Sequence, residues 1–210
     1  YEYEWADKYL IATFPSRHYD IELYPAVKRH LLSFGKERLE QTGNTYSING
    51  EKIKARKKTH NKWFETQDSI SYWEDFMRPK IIWKRIGSIL RFSYDTTGNL
   101  GLDSTCFATG QHMAYLCCIL NSLMGHYMFK DSPKTGTGDL LVSVQAIEPI
   151  LIPMNKDMEC LFENLLEEVL EHRSEETEKE INRLAFKLYD LSPAEINYIT
   201  DFVTQSQQSQ

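Results

Sequence analysis

Cysteine is scarce in this chain, with 4 among 210 residues. Cys106, Cys117, Cys118 and Cys160 form neither a Cys-x-x-Cys pair nor a zinc-like spacing with histidine, which excludes a disulfide framework and a zinc ribbon. Free, buried thiols in a reducing cytoplasm are the expected state. Long apolar runs are missing too: the stretches 113–128 and 140–154 carry polar residues and fall short of the ~20 needed to span a bilayer. No basic segment followed by an apolar run opens the chain, and no initiator Met precedes Tyr1, so the sequence reads as a piece of a longer protein. Phosphate-cradling glycines are absent: no Gly-x-Gly-x-x-Gly follows a strand, no Gly-x4-Gly-Lys-Ser/Thr occurs, and Gly136-Thr137-Gly138 is too short for either. The six histidines, at 18, 30, 60, 112, 126 and 172, are scattered without metal spacing. Carboxylates crowd residues 157–180, but at helical spacing, as on a solvated face. His60-Asn61-Lys62 has only a superficial likeness to a nuclease tripeptide. The sequence therefore offers no catalytic or metal-binding constellation of its own.

What it does have is 41% hydrophobic and 26% charged residues, the balance of a folded protein rather than a disordered one. The net charge of −6 conceals an asymmetry. Residues 1–155 carry 19 Lys and Arg against 17 Asp and Glu, whereas residues 156–210 carry 5 against 13. Residues 52–91 concentrate 11 basic side chains against 4 acidic ones. A local cationic field of that density suits a polyanionic partner, whatever the overall charge.

Periodicity and turn chemistry outline the elements. Residues 10–13 read as a short strand. Pro25 starts a helix with Val27, Leu31, Phe34 and Leu39 on its apolar face and Gly43 as its stop. Residues 46–53 form a hairpin around Asn49-Gly50, a pair that tolerates the positive φ of a tight turn. A basic loop ends at Trp63-Phe64. Residues 80–86, 88–94 and 104–108 are strand-like, with a turn at 95–99. Residues 111–128 form a buried helix, 130–139 a mobile loop, and 140–152 a strand stopped by Pro153. Helices follow at 156–173 and around Ile181, Leu184, Ala185 and Leu188. A third opens with a Ser192–Glu195 capping box. The expected fold is α+β: an α+β core over residues 1–153, mixed and mainly antiparallel in its strands with helices packed on them, then acidic helices over 154–204 packed on that core, and a disordered tail at 205–210.

These landmarks resemble, in order, those of the TaqI-like C-terminal specificity domain of type II restriction-modification enzymes and adenine-specific DNA methyltransferases. Residues 24–31 (Tyr-Pro-Ala-Val-Lys-Arg-His-Leu) look like the family's proline-started helix. Residues 62–67 (Lys-Trp-Phe-Glu-Thr-Gln) are similar to its Trp-Tyr/Phe-Glu-Leu-Gln segment, with Thr66 replacing leucine. Phe76 and Pro79-Lys80-Ile81-Ile82 resemble its Pro-Lys-Ile strand, and Leu120-Asn121-Ser122 the end of its helix. Ile152-Pro153 and residues 188–196 look like its closing segments. The resemblance covers residues 10–200. It implies a target-recognition domain that binds double-stranded DNA and presents a site to an adenine-N6 methyltransferase domain of the same polypeptide, and in a fused enzyme to a nuclease. S-adenosylmethionine, and Mg for cleavage, would belong to those parts; this segment needs no cofactor.

Under that reading Arg56, Lys57, Lys58, Lys62, Lys80, Lys84 and Arg85 are expected at phosphates, with Arg56 and Arg85 also able to fork onto guanine. His60, Asn61, Gln67 and Gln111 are expected at base edges. Trp83 stands among aromatics (Trp63, Tyr72, Trp73, Tyr94) that interleave with the charges and could stack on bases, although core packing accounts better for Trp63 and Trp73. Two alternatives carry different expectations. A specificity-subunit module like those of type I systems would need a second module and long coiled-coil helices. A protein-interaction scaffold would bind through its acidic helices and be indifferent to the basic block.

Overall fold

Pro25 does begin a helix, but the helix does not run to Gly43. In the computed structural model, which describes residues 1–208, α1 spans Pro25–Leu32 and α2 spans Lys36–Leu39. Gly35, at φ 86°, separates them. A left-handed residue cannot continue a right-handed helix, and glycine adopts that conformation without a steric cost. The chain forms two compact units, residues 5–73 and residues 1–4 with everything from Glu74 onward.

In the unit 5–73, the expected strand at 10–13 is not formed. The Thr13 carbonyl accepts from the Thr66 N–H at 3.0 Å without a ladder beside it. Phe14 next to it is buried and meets Trp73 edge-to-face at 5.1 Å. The hairpin is formed as read: β1 (Thr45–Ile48) pairs antiparallel with β2 (Glu51–Lys54). Asn49 and Gly50 take φ 51° and 85° at its tip, the two positive φ values of a type I′ turn. Buried Ile21, Ala55 and Phe64 join Phe14 in the small core.

The other unit centres on β3 (Lys80–Lys84), flanked by two antiparallel strands from later in the chain. Ile86–Gly87 forms β4, a separate ladder, rather than extending β3; β5 is Phe92–Asp95 and β6 is Thr105–Thr109. The sheet order is β5-β3-β6, with Ile81 opposite both Tyr94 and Ala108. The expected helix 111–128 is two: α3 (Met113–Asn121) and α4 (Leu123–Met128). Ser122 breaks it, being extended at ψ 166° and capping the Gly125 N–H. Gly125 must be glycine, because a Cβ there would lie 2.2 Å from the Ile119 carbonyl oxygen. Asn121 bonds both the N–H and the carbonyl of Phe92, tying α3 to β5.

The strand expected over 140–152 shrinks to β7 (Leu140–Leu141), which pairs with β4. Ser143 then starts the single turn α5 (Val144–Ile147), its carbonyl accepting from Ala146 and Ile147. Three amphipathic helices close the unit: α6 (Lys156–Glu171), α7 (Glu175–Leu188) and α8 (Pro193–Gln208). Asn155 and Ser174 cap the first two, and Ser192 with Glu195 forms the reciprocal box at the third. Phe162, Leu166, Ile181, Leu184 and Val203 share one core with Ile81, Trp83, Phe92 and Tyr115. Residues 205–208, read as tail, continue α8, whose Ser206 hydroxyl bonds the Phe202 carbonyl; 209 and 210 lie outside the described residues. The fold is α+β with antiparallel sheets, and among the described residues no helix is long and apolar enough to cross a membrane. All four cysteines are free; Cys117 and Cys118 are buried as expected, Cys106 is half-buried and Cys160 is exposed.

Candidate nucleic-acid interface

Three polar side chains build the basic loop between β2 and Trp73. Gln41 is buried, and its amide donates to the carbonyls of Lys62 (3.0 Å) and Glu65 (2.8 Å) while accepting from the Thr59 hydroxyl (2.6 Å). Asn61 donates to the carbonyls of Thr66 (3.0 Å) and Gln67 (3.1 Å). The guanidinium of Arg56 donates to the carbonyls of Leu39, Trp63 and Glu65. Burial lowers its pKa from the ordinary guanidinium value, yet a guanidinium remains protonated at neutral pH. An arginine is suited to this place because its planar fork satisfies several carbonyls at once where a coil has no ladder to do so.

These contacts correct two expectations. Arg56 and Asn61 fix the loop and have little left to offer DNA: their donors face main-chain carbonyls of their own unit. What the knot displays is different. Lys57, Lys58, His60 and Lys62 are exposed around it. Lys57 pairs with Asp68 at 3.2 Å, both side chains well exposed, a contact weak enough for a phosphate to displace. Lys62 lies over the Phe64 ring, 5.6 Å from its centroid. Gln67 is half-buried.

Two further expectations fail in the other unit. Lys80 is fully buried: its ammonium pairs with Asp95 and donates to the Phe76 carbonyl at 2.7 Å, so no phosphate reaches it. Trp83 is 4% exposed, with its indole N–H donating to the Val142 carbonyl at 2.8 Å, and is a core residue rather than a stacking platform. Both sit on β3 but three residues apart, hence on opposite faces: Trp83 lies with Ile81 in the core shared with the helices, and Lys80 stands opposite Asp95 of β5. Lys84 and Arg85, at the end of the same strand, are exposed and have no ion-pair partner among the described residues. Gln111 is exposed between β6 and α3. The sequence-selected cations thus divide between the two units, Lys57, Lys58 and Lys62 in one, Lys84 and Arg85 in the other.

Two cations not singled out from the sequence join the first group. Lys52 and Lys54 are exposed on β2, and the register sets them opposite Ser47 and Thr45 on one hairpin face. The signal lies in the period-2 alternation of residues 51–54, where every second side chain shares a face. Arg56, two positions further along, is the cation that its place in the basic run favours, and it is the one turned inward.

An arrangement of exposed ammonium groups around a tied loop can hold phosphates, and the exposed His60 imidazole among them can bond a base edge. Among the described residues no cluster of three or more His, Cys, Asp or Glu is placed to hold a metal ion. In comparison with known families, the model of the TaqI-like C-terminal specificity domain fits residues 27–147. No curated protein matches the chain.

Proposed function

The chain belongs to the family of TaqI-like C-terminal specificity domains, and from that premise we propose that it selects a short duplex DNA site for an adenine-N6 methyltransferase domain of the same polypeptide. In a fused type II enzyme it would serve a nuclease as well. DNA recognition within restriction-modification enzymes is the role the family carries. The observation that supports it best is the loop held by Gln41, Arg56 and Asn61, which fixes the main chain that carries Lys57, Lys58 and Lys62 before any ligand arrives. Preordering matters because a loop ordered only on binding loses affinity to the entropy of fixing it.

The residues present do not fit S-adenosylmethionine or Mg: no glycine-rich cradle follows a strand, and no carboxylate cluster has metal-binding geometry among the described residues. Both are assigned to the methyltransferase and nuclease parts, and the flipping of an adenine for N6 methylation to the former. A cytoplasmic location belongs to the same proposal.

The test is selection from a randomised duplex pool at low and moderate salt. Enrichment of a short motif, weakened when Lys57, Lys58 and Lys62 become Ala, is the expected result. The triple variant should also lower the slope of log affinity against log salt by about 2.7, three contacts at about 0.9 each. Absence of any salt-sensitive binding would overturn the proposal.

A further inference from the structure

The β1–β2 hairpin has two unlike faces. Tyr46, Ile48 and Ile53 are half-buried on one, with Glu51 at their tip end; Thr45, Ser47, Lys52 and Lys54 are all exposed on the other. The exposed face carries two ammonium groups and no carboxylate. Its hydroxyls and ammonium groups make no hydrogen bond or ion pair among the described residues, nor does the side-chain amide of Asn49 at the tip. Main-chain bonds anchor the base of the ribbon beyond the strands, from Ala55 to the Asn44 carbonyl and from Gly43 to the Arg56 carbonyl, each 2.9 Å. The Arg56 knot comes directly after it in the chain. The ribbon is therefore fixed at its base and open at its tip, where a Cβ added to Gly50 would meet nothing within 4 Å.

We propose that this ribbon is the element that enters the major groove, with Ser47, Asn49 and Lys52 reading base edges and Lys54 reaching a flanking phosphate. The inference rests on the DNA-reading function and deepens it. Its dimensions suit the site: two strands about 4.8 Å apart fit a groove about 12 Å wide, which admits a two-stranded ribbon as readily as a helix. The chemistry suits it as well. Asparagine bonds adenine through N6 and N7, lysine bonds guanine through O6 and N7, and a serine hydroxyl can donate or accept. The loop expected to read bases has less to offer, since the amide nitrogen of Asn61 is bound to carbonyls of its own unit.

The experiment uses the whole chain, the duplex motif selected above and a scrambled duplex of equal length. Ser47→Ala with Lys52→Ala, and separately Asn49→Gly, which keeps the positive φ of the turn, are compared with the wild type. The ribbon variants should lose about 10-fold or more on the selected motif, as expected for one well-made base contact, while affinity for the scrambled duplex changes by less than about 3-fold. A urea midpoint equal to that of the wild type shows that the loss is not one of folding. If both ribbon variants keep the wild-type preference while Lys57, Lys58 and Lys62→Ala weakens binding, the ribbon inference fails and the DNA-reading function stands. If the wild type binds DNA without selecting a motif, base reading by the ribbon is overturned. If it binds no DNA at all, both proposals fall together.

Discussion

Replacing Lys80 by Met keeps the length of a side chain that is 0% exposed and removes its ammonium group. The partner left behind is Asp95, itself buried, which still accepts from the Thr97 N–H (2.8 Å), the Thr97 hydroxyl (2.6 Å) and the Tyr3 hydroxyl (2.9 Å). Those neutral donors do not neutralise the charge. Breaking one side of a buried ion pair costs about 3–5 kcal/mol, a large share of a total stability of about 5–15 kcal/mol. With a urea dependence of about 2 kcal/mol per molar, the midpoint should fall by about 2 M. Adding Asp95→Asn, which removes the stranded charge and keeps an acceptor, should restore most of that loss. The pH dependence adds a second check. Burial pushes the Asp95 carboxyl up, but bonds from Lys80, Thr97 and Tyr3 outweigh it and hold the group below its ordinary value of 3.8. Its contribution is thus complete above that value and lost as pH falls through the lower folded one; Lys80→Met should flatten this acid limb. Duplex DNA affinity, measured at a temperature where the variant is folded, should be unchanged. Lost DNA binding at unchanged stability would refute the reasoning and return Lys80 to the phosphates.

Arg56→Lys should loosen the segment 59–67, because an ammonium cannot span the carbonyls of Leu39, Trp63 and Glu65 together; faster amide hydrogen exchange there, with binding to the selected DNA weakened about 10-fold, is the expected outcome. Cys160 is exposed, whereas burial pushes Cys117 up to about 12 and Cys118 up as well; a thiol reagent at pH 8 should therefore modify Cys160 in the native protein and spare Cys117 and Cys118 until urea is added. Burial also lowers the pKa of His126, with a main-chain bond to Leu90 opposing it. The unfolded chain then takes up that proton first, so stability should decline as pH falls below about 6.5, and His126→Phe should remove that part of the decline in urea titrations at pH 7 and pH 5.

Legibility from sequence tracks the locality of the interactions. The hairpin is readable because Asn49-Gly50 and the alternation of residues 51–54 specify it within ten residues. The caps of α6 to α8 are readable for the same reason, Ser192 and Glu195 being only three apart. Errors fall where tertiary contacts decide. The apolar run 140–152 has strand composition, but Val142 alone is buried there, its N–H bonding the Arg85 carbonyl, and Ser143 turns the chain. Helix 111–128 breaks at Ser122 because that residue caps the first turn of α4 while Asn121 reaches across to Phe92. At the site, a lysine in a basic run looks the same whether it points to solvent, as Lys84 does, or to a buried carboxylate 15 positions away, as Lys80 does. Strand parity does not separate them, since residues 80 and 84 share a face; the cross-strand neighbour does, because Lys80 stands opposite Asp95 whereas Lys84 lies beyond the last β3–β5 pair.

The acidic end of the chain bears on the strength of the cationic grip. The family match stops at residue 147, before α6 begins, so the acidic helices lie outside it. They are nonetheless not separable from the sheet and helices before them: Phe162, Leu166 and Ile181 are at most 1% exposed in the core that also holds Phe92 and Trp83. Their carboxylates occupy the opposite, solvent faces, with Glu163, Glu167 and Glu171 exposed along α6. Burial of one face is what these helices contribute to the fold; the charge is the other face of the same amphipathic pattern. At physiological salt the field of exposed carboxylates decays over about 8 Å. A cationic grip therefore depends on the charges beside it more than on the net charge of −6, and the hairpin face with Lys52 and Lys54 carries no carboxylate of its own.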